Sequence, residues 1–336
     1  MLKEINSIPK GLLEAKADEL LDLLGGPTLI HLEGENTQPL FISTLLHGNE
    51  TTGFYAIQKL LTDYTGKTLP RSLSIFIGNV DAAKQNQRHL DGQSDYNRIW
   101  PGTHSSDSAE TDMMKTVVNI MHKRNPFASI DIHNNTGHNP HYACVNILNP
   151  HGLQLASLFS STTVYFTSPK GVQSSAFSDF CPAIVLECGQ SGQADGISHS
   201  YRFIEHVLTL NKIPEGSPDN LNLFHTVARV IVPKQFSFGI EDTNDIRILT
   251  ELESQNFHEL KNGMVFAEIN TDNKKNTPIN LTVINESSED VTTEFFDVID
   301  NQIILKRNTT LSMYTTNTKA VSQDCLCYFM EKIHLV

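Results

Sequence analysis

Residues 39–53 read PLFISTLLHGNETTG. Past the proline, 39–46 is an apolar run of strand length, and it stops at His47-Gly48-Asn49-Glu50. A helix-type pattern follows over 52–64, so the stretch predicts a strand, a short loop and a helix. His47 stands at the carboxyl end of that strand and Glu50 lies one turn on. The glycines at 48 and 53 let backbone approach whatever the loop holds. In a chain with 14 histidines about one His-x-x-Glu pair arises by chance, and a glutamate in a first helical turn also complements the helix dipole. The pair therefore takes its meaning from what the rest of the chain brings to it.

Further apolar runs alternate with helical patterns. Residues 28–33, 73–79, 127–132, 142–148, 163–166 and 182–187 read as strands, and 109–123 and 196–211 as helices. Leu12, Leu13, Ala15, Leu20, Leu21 and Leu24 predict an amphipathic helix, ended by Gly25-Gly26-Pro27. Such alternation predicts an α/β domain, its mostly parallel or mixed central sheet flanked by helices. The pattern changes after IPEGSPDN. From there TVARVIVP, DIRILTEL, GMVFAEI, NLTVI, EFFDVI, QIILKR and CLCYFM read as short strands separated by turn residues. The expected organisation is an α/β domain over 1–215 and a smaller β-rich domain over 216–336.

Composition narrows the function classes. A hydrophobic content of 39% with 19% charged residues fits a globular chain with a core. The net charge of −13 argues against nucleic acid, which needs clustered Lys and Arg to neutralise phosphates. It leaves room for an anionic small molecule in a locally positive pocket. The N-terminal residues lack a basic start followed by an apolar stretch, and no run of 18 apolar residues occurs, so neither a secretory signal nor a membrane span is expected. The five cysteines, 144, 181, 188, 325 and 327, are odd in number and scattered. They argue against a disulfide framework and for a reducing, cytoplasmic setting. A homo-oligomer is compatible with all of this.

In a parallel α/β sheet, ligands bind beyond the carboxyl ends of the strands. Strand 40–46 ends at His47, 127–132 at His133 and 183–186 at Glu187. Strand 73–78 ends at Asn79, before a loop carrying Arg88, Asp95, Asn97 and Arg98. Two imidazoles and one carboxylate, His47, His133 and Glu50, make a three-ligand zinc site with a position left for water. Bound zinc lowers the pKa of water from about 15.7 to about 7. A carboxylate outside the ligand set, with Glu187 the candidate, can take the water proton and pass it to a leaving amine. Arg88 and Arg98 are available to steady an oxyanion and to clamp a substrate carboxylate.

LLHGNETTG, NVDAAKQNQRHLDGQSDYNRIWPG, SIDIHNNTG and AIVLECGQ occur in this order between residues 40 and 210. Together they resemble the motifs of the succinylglutamate desuccinylase/aspartoacylase family, a branch of the zinc carboxypeptidase-like fold. The resemblance implies a hydrolase with one zinc ion per chain that splits a small N-acyl amino acid into a carboxylic acid and a free amino acid. Carried over by position, it makes His47, Glu50 and His133 the metal ligands and Glu187 the general base. Arg88 would polarise the scissile carbonyl, while Asn97 and Arg98 would bind the carboxylate of the amino-acid half. The β-rich domain would narrow the channel and exclude peptides. The acyl group and preferred side chain stay open, as do two rivals: a peptide-trimming zinc carboxypeptidase and a metal-binding relative without catalysis.

Other residues carry plainer readings. Asp131 either orients a ligand or simply ends its strand. His138 and His141 form His-x-x-His beside Pro140, which spoils a helix and leaves a poor metal pair. Cys325 and Cys327 share a strand face and read as core, and Cys188 as packing. Ser174, Ser175 and Ser178 lack a G-x-S-x-G elbow.

Overall fold

The structure is a computed structural model that describes residues 2–270 and 278–334. Residue 1, 271–277 and 335–336, including the outer ends of both expected domains, lie outside the described residues. Two compact units emerge: Met1–Asn134 with His141–Asn222, and Asn135–Pro140 with Leu223–Val336. Residues 135–140, directly after the DIHN motif, thus pack with the second unit rather than the first.

In the first unit the strands are β1 (Lys3–Ile5), β2 (Thr28–Leu32), β3 (Gly34–Thr44), β4 (Leu69–Ile77), β5 (Ala128–His133), β6 (Tyr142–Val145), β7 (Thr162–Tyr165) and β8 (Ala183–Glu187). Their order in the sheet is β1-β2-β4-β3-β5-β8-β6-β7. Four neighbours, β4, β3, β5 and β8, run parallel, whereas β2 and β6 are antiparallel to β4 and β8. The sheet is therefore mixed. The helices are α1 (Leu20–Leu24), α2 (Thr52–Asp63), α3 (Val80–Lys84), α4 (Ala109–Arg124), α5 (Pro150–Phe159), α6 (Gln173–Phe177) and α7 (Ala194–Thr209).

The chain leaves β3 through α2 to β4 on one side, then returns through α4 to β5 on the other. This reversal makes the β3–β5 boundary the switch point at which α/β sheets open a crevice. One sheet face packs Phe41 and Phe76 against Trp100, Met114, Val117 and Phe177 from the elements around α4 and α6. The Phe41 and Phe177 rings stack at 4.5 Å, and each such buried side chain contributes roughly 1.5–3 kcal/mol. The opposite face sets Ile30, Ile75 and Ile77 against Phe54, Ile57 and Leu61 of α2. The α4 helix starts where Ser108 and Thr111 exchange side-chain-to-backbone bonds of 2.7 and 3.2 Å, and it ends at Asn125 in the left-handed region.

Two expectations shift. The Leu12–Leu24 helix shrinks to α1 preceded by a 3-10 turn, because the Lys16 amide is capped by Glu19 at 2.7 Å and the turn starts only there. The strand expected over 39–46 stops at Thr44, because Leu45 turns left-handed with φ +54 while fully buried. That conformation costs about 1–3 kcal/mol in a non-glycine residue. Its carbonyl accepts from the Asn79 amide at 2.6 Å.

The second unit is β-rich. Its strands are β9 (Asn222–Ile231), β10 (Phe238–Gly239), β11 (Ile246–Ile248), β12 (Glu259–Leu260), β13 (Val265–Ile269), β14 (Thr282–Asn285), β15 (Phe296–Ile299), β16 (Gln302–Leu305), β17 (Thr309–Ser312) and β18 (Cys327–Ile333). β9 pairs with β14 and β18, followed by β17 and β12, while β10-β11-β13-β16-β15 form a separate sheet. Phe266, Phe295, Phe296 and Phe329 fill the core. Cys325 precedes β18 rather than lying in it, and all five cysteines are buried thiols outside any disulfide. No helix among the described residues is long and apolar enough to cross a membrane.

Candidate metal centre and active site

The left-handed turn at Leu45 and the glycine at 48 put His47 over the end of β3. A Cβ on Gly48 would lie 2.1 Å from the Ala83 amide nitrogen and 2.3 Å from the Ala82 carbonyl carbon, so only glycine passes α3 this closely. The Gly48 amide donates to the Arg88 carbonyl at 3.1 Å and ties this loop to the one carrying the arginines. Glu50 sits just ahead of α2, and β5 ends on His133.

These three residues converge. One donor atom each from His47, Glu50 and His133 lies within 4.8 Å of the other two, and all three side chains are buried. Nδ1 of His47 is 2.7 Å from Oε1 of Glu50, and Nδ1 of His133 is 2.8 Å from Oε2. The outer nitrogens are held by other carboxylates, Nε2 of His47 by Asp95 at 3.0 Å and Nε2 of His133 by Asp131 at 2.8 Å. Asp131, fully buried, also accepts from the Ser43 hydroxyl at 2.6 Å. Each imidazole thus has a carboxylate at both nitrogens, and a carboxylate on Nε2 is the arrangement that orients Nδ1 toward a cation. The donor set of two imidazoles and a carboxylate thus fits a divalent metal ion.

The electrostatics agree. Burial alone would raise the Glu50 carboxyl, but the two imidazoles outweigh it and hold the group well below the usual range. Burial would likewise raise Asp95, which Arg88, His47 and Arg98 bring well down. His133 is pushed the other way, since Asp131 and Glu50 overcome its desolvation and raise it well above an ordinary imidazole. The centre attracts positive charge, held by protons without a metal and by the metal when one is bound.

Glu187 closes β8, 8% exposed, directly across from His133 in the parallel β5–β8 register. Register partners share a sheet face, so Glu187 stands in the same row as His133. On β6, Tyr142 lies opposite Glu187. Burial and the Glu187 charge push the Cys144 thiol well up.

Arg88 donates to Oδ2 of Asp95 at 3.2 and 3.0 Å, and its Nη1 is 4.0 Å from Oε1 of Glu50. The amide nitrogen of Asn97 binds Asp95 at 2.8 Å, and its side-chain Nδ2 lies 3.4 Å from Nε2 of His133. That imidazole nitrogen already serves Asp131, so the Asn97 side-chain amide keeps its hydrogen-bonding capacity; its buried Oδ1 has no partner among the described residues. Arg98 bonds the Asn97 carbonyl through Nη1 at 2.8 Å.

All seven residues named from the sequence are therefore on or beside the β4–β3–β5–β8 rim. The sequence reading missed Asp95 as the partner of both His47 and Arg88, although it stands two residues before Asn97. It also missed Asn134, which follows His133. The Asn134 amide donates to Glu50 at 3.0 Å, its Oδ1 accepts from the first α2 residue, Thr52, at 3.2 Å, and its Nδ2 reaches the Gly189 carbonyl at 2.8 Å. Its place beside His133 was the available signal. His138 is exposed, and His141 lies against His199 with ring centroids 5.0 Å apart. Ser174 bonds Asn146, and Cys188 accepts from Ser200.

Known proteins carry the same frame. The family model for the succinylglutamate desuccinylase/aspartoacylase catalytic domain matches residues 36–210. Succinylglutamate desuccinylase of Pseudomonas fluorescens is 26% identical over 268 residues, 70% of this chain and 74% of that protein. In fold, murine aminoacylase 3 superposes with a TM-score of 0.59 at 14% identity, over 89% of this chain and 96% of its own. Succinylglutamate desuccinylase from Chromobacterium violaceum gives 0.58 at 17%, over 90% and 87%. The match from β3 through α7 takes in His47, Glu50, the arginine loop, His133 and Glu187, and by it the chain belongs to the succinylglutamate desuccinylase/aspartoacylase family.

Proposed function

We propose that this chain is a zinc-dependent amidohydrolase that cleaves the amide bond of small N-acyl amino acids. The observation that carries the reading is the row formed by the His47–Glu50–His133 cluster and Glu187, one strand away from His133. His47 and His133 through Nδ1 and Glu50 through its carboxylate would hold the ion. Bound there, zinc supplies Lewis acidity toward water and the acyl carbonyl.

The chain's own groups do the rest. Glu187 takes a proton from the attacking water and hands it to the amine as the C–N bond breaks, so hydroxide adds to the acyl carbon and hydrogen to the leaving nitrogen. Arg88, fixed by Asp95, donates to the carbonyl oxygen as it gains charge. Asn97 and Arg98 bind the carboxylate of the amino-acid half, where a guanidinium fork matches a carboxylate.

The test is primary-amine release by zinc-loaded protein from N-acetyl and N-succinyl amino acids with acidic, basic and neutral side chains, with and without chelator. Chelator-sensitive release from one subset is the expected result. Release from short peptides instead would favour a carboxypeptidase. No release from any substrate, with zinc bound, would favour a non-catalytic role.

A further inference from the structure

The loop from Arg88 to Asn97 carries Arg88 at one end and Asp95 and Asn97 at the other. Its ends are tied by backbone bonds, Gly48 amide to Arg88 carbonyl at 3.1 Å and Arg98 amide to Asp95 carbonyl at 2.9 Å. Its middle is tied by a side chain. Nδ2 of Asn79 donates to Oε1 of Gln93 at 2.9 Å, and Nε2 of Gln93 donates back to Oδ1 of Asn79 at 3.0 Å. The same Oε1 accepts from the Leu90 amide at 3.0 Å, and the Gln93 amide closes the turn on the Leu90 carbonyl at 3.1 Å. Asn79 is fully buried just beyond β4, where its Oδ1 also caps α3 through the Ala82 amide at 3.1 Å. A reciprocal amide pair satisfies a donor and an acceptor on each partner, and losing one side leaves the buried Asn79 groups unpaired.

We propose that Gln93 is a positioning residue for the hydrolysis, clasping the loop tip to Asn79 and so holding Arg88 and Asp95 against His47. This rests on the reading of Arg88 as the group that polarises the acyl carbonyl. Arg98 lies outside the clasp. Its carbonyl accepts from Thr103 at 2.6 Å and packs on Gly171, where a Cβ would come within 2.4 Å of that oxygen. Loosening the clasp therefore displaces Arg88 and Asp95 first, and reaches Asn97 only through its amide bond to Asp95.

Gln93→Met keeps the side-chain length and removes its hydrogen bonds, whereas Gln93→Glu keeps the acceptor for Asn79 and Leu90. At saturating zinc and with circular dichroism unchanged, Gln93→Met should lower kcat roughly tenfold or more, a larger change than in KM, since small misplacements of catalytic groups cost this much. Gln93→Glu, which keeps one half of the pair and loses the donor to Asn79 Oδ1, should recover only part of the loss. In an Arg88→Ala background, Gln93→Met should cost less than about a further twofold, because coupled residues are non-additive. Hydrogen exchange reads the clasp without any substrate: amides of 89–96 should exchange about tenfold faster in Gln93→Met, with 128–133 unaffected. Unchanged exchange in 89–96 overturns the clasp. A full, undiminished loss from Gln93→Met on top of a deleterious Arg88→Ala overturns its action through Arg88. Normal turnover in Arg88→Ala alone overturns the reading of Arg88, and this role of Gln93 with it.

Discussion

Oδ1 of Asp95 lies 3.0 Å from Nε2 of His47, on the far side of the imidazole from Glu50. Its second oxygen accepts from Nε and Nη2 of Arg88. One carboxylate thus orients a proposed metal ligand and a charged donor at once. Removing the carboxylate behind a ligating histidine typically weakens metal binding about 10–100-fold. Asp95→Ala should show that loss of zinc affinity in competition with a calibrated chelator. It should also show a lower kcat at saturating zinc, because Arg88 is freed. Zinc affinity equal to that of the unmodified protein would remove Asp95 from this role.

Gly48 leads to a prediction about folding. A methyl group there meets the backbone of α3, which cannot rotate away as a side chain can. Overpacking of this kind costs about 1–3 kcal/mol or more. Gly48→Ala should lower Tm by several degrees and reduce zinc occupancy, both read from one preparation by calorimetry and elemental analysis. An unchanged Tm would mean that α3 yields.

With the proposed metal bound, the charge around the centre would make the ion a stabilising ligand. Glu50, Asp95 and Asp131 surround two imidazoles, and a bound cation offsets their repulsion. At free zinc 100-fold above Kd the linkage contributes about 2.7 kcal/mol. Stripping the metal should lower Tm, and zinc should restore it while magnesium, a poor partner for imidazole, does not. A Tm indifferent to zinc would contradict occupation of this site in the folded protein.

The candidate site was legible in the sequence because parallel strands deliver their last residues to one rim. His47, His133 and Glu187 each end an apolar run, and those runs became β3, β5 and β8. The Asp95 contact was not legible, since it depends on how a loop folds back across the rim. Leu45 and Leu46 read as strand because apolarity does not report a left-handed φ. The Leu12–Leu24 periodicity was real, but a local cap at Lys16 overrode it. The strand Thr309–Ser312 escaped notice because its sequence, TTLS, carries little apolar signal although all four residues are buried. Residues 135–140 gave no hint that they pack with the second unit, with Gly137 against the Tyr314 carbonyl and Asn139 accepting from the Met313 amide at 2.9 Å.

In the proposed reaction Glu187 moves the proton while the cluster beside it would hold a metal ion. Glu187→Gln keeps size and shape and removes the base. General acid–base catalysis contributes about 10²–10⁴-fold. Zinc content by elemental analysis, measured beside kcat on the best N-acyl amino acid, tests the claim directly. The account predicts one zinc per chain with kcat reduced at least about 100-fold. Full zinc occupancy with substantial turnover retained would contradict it.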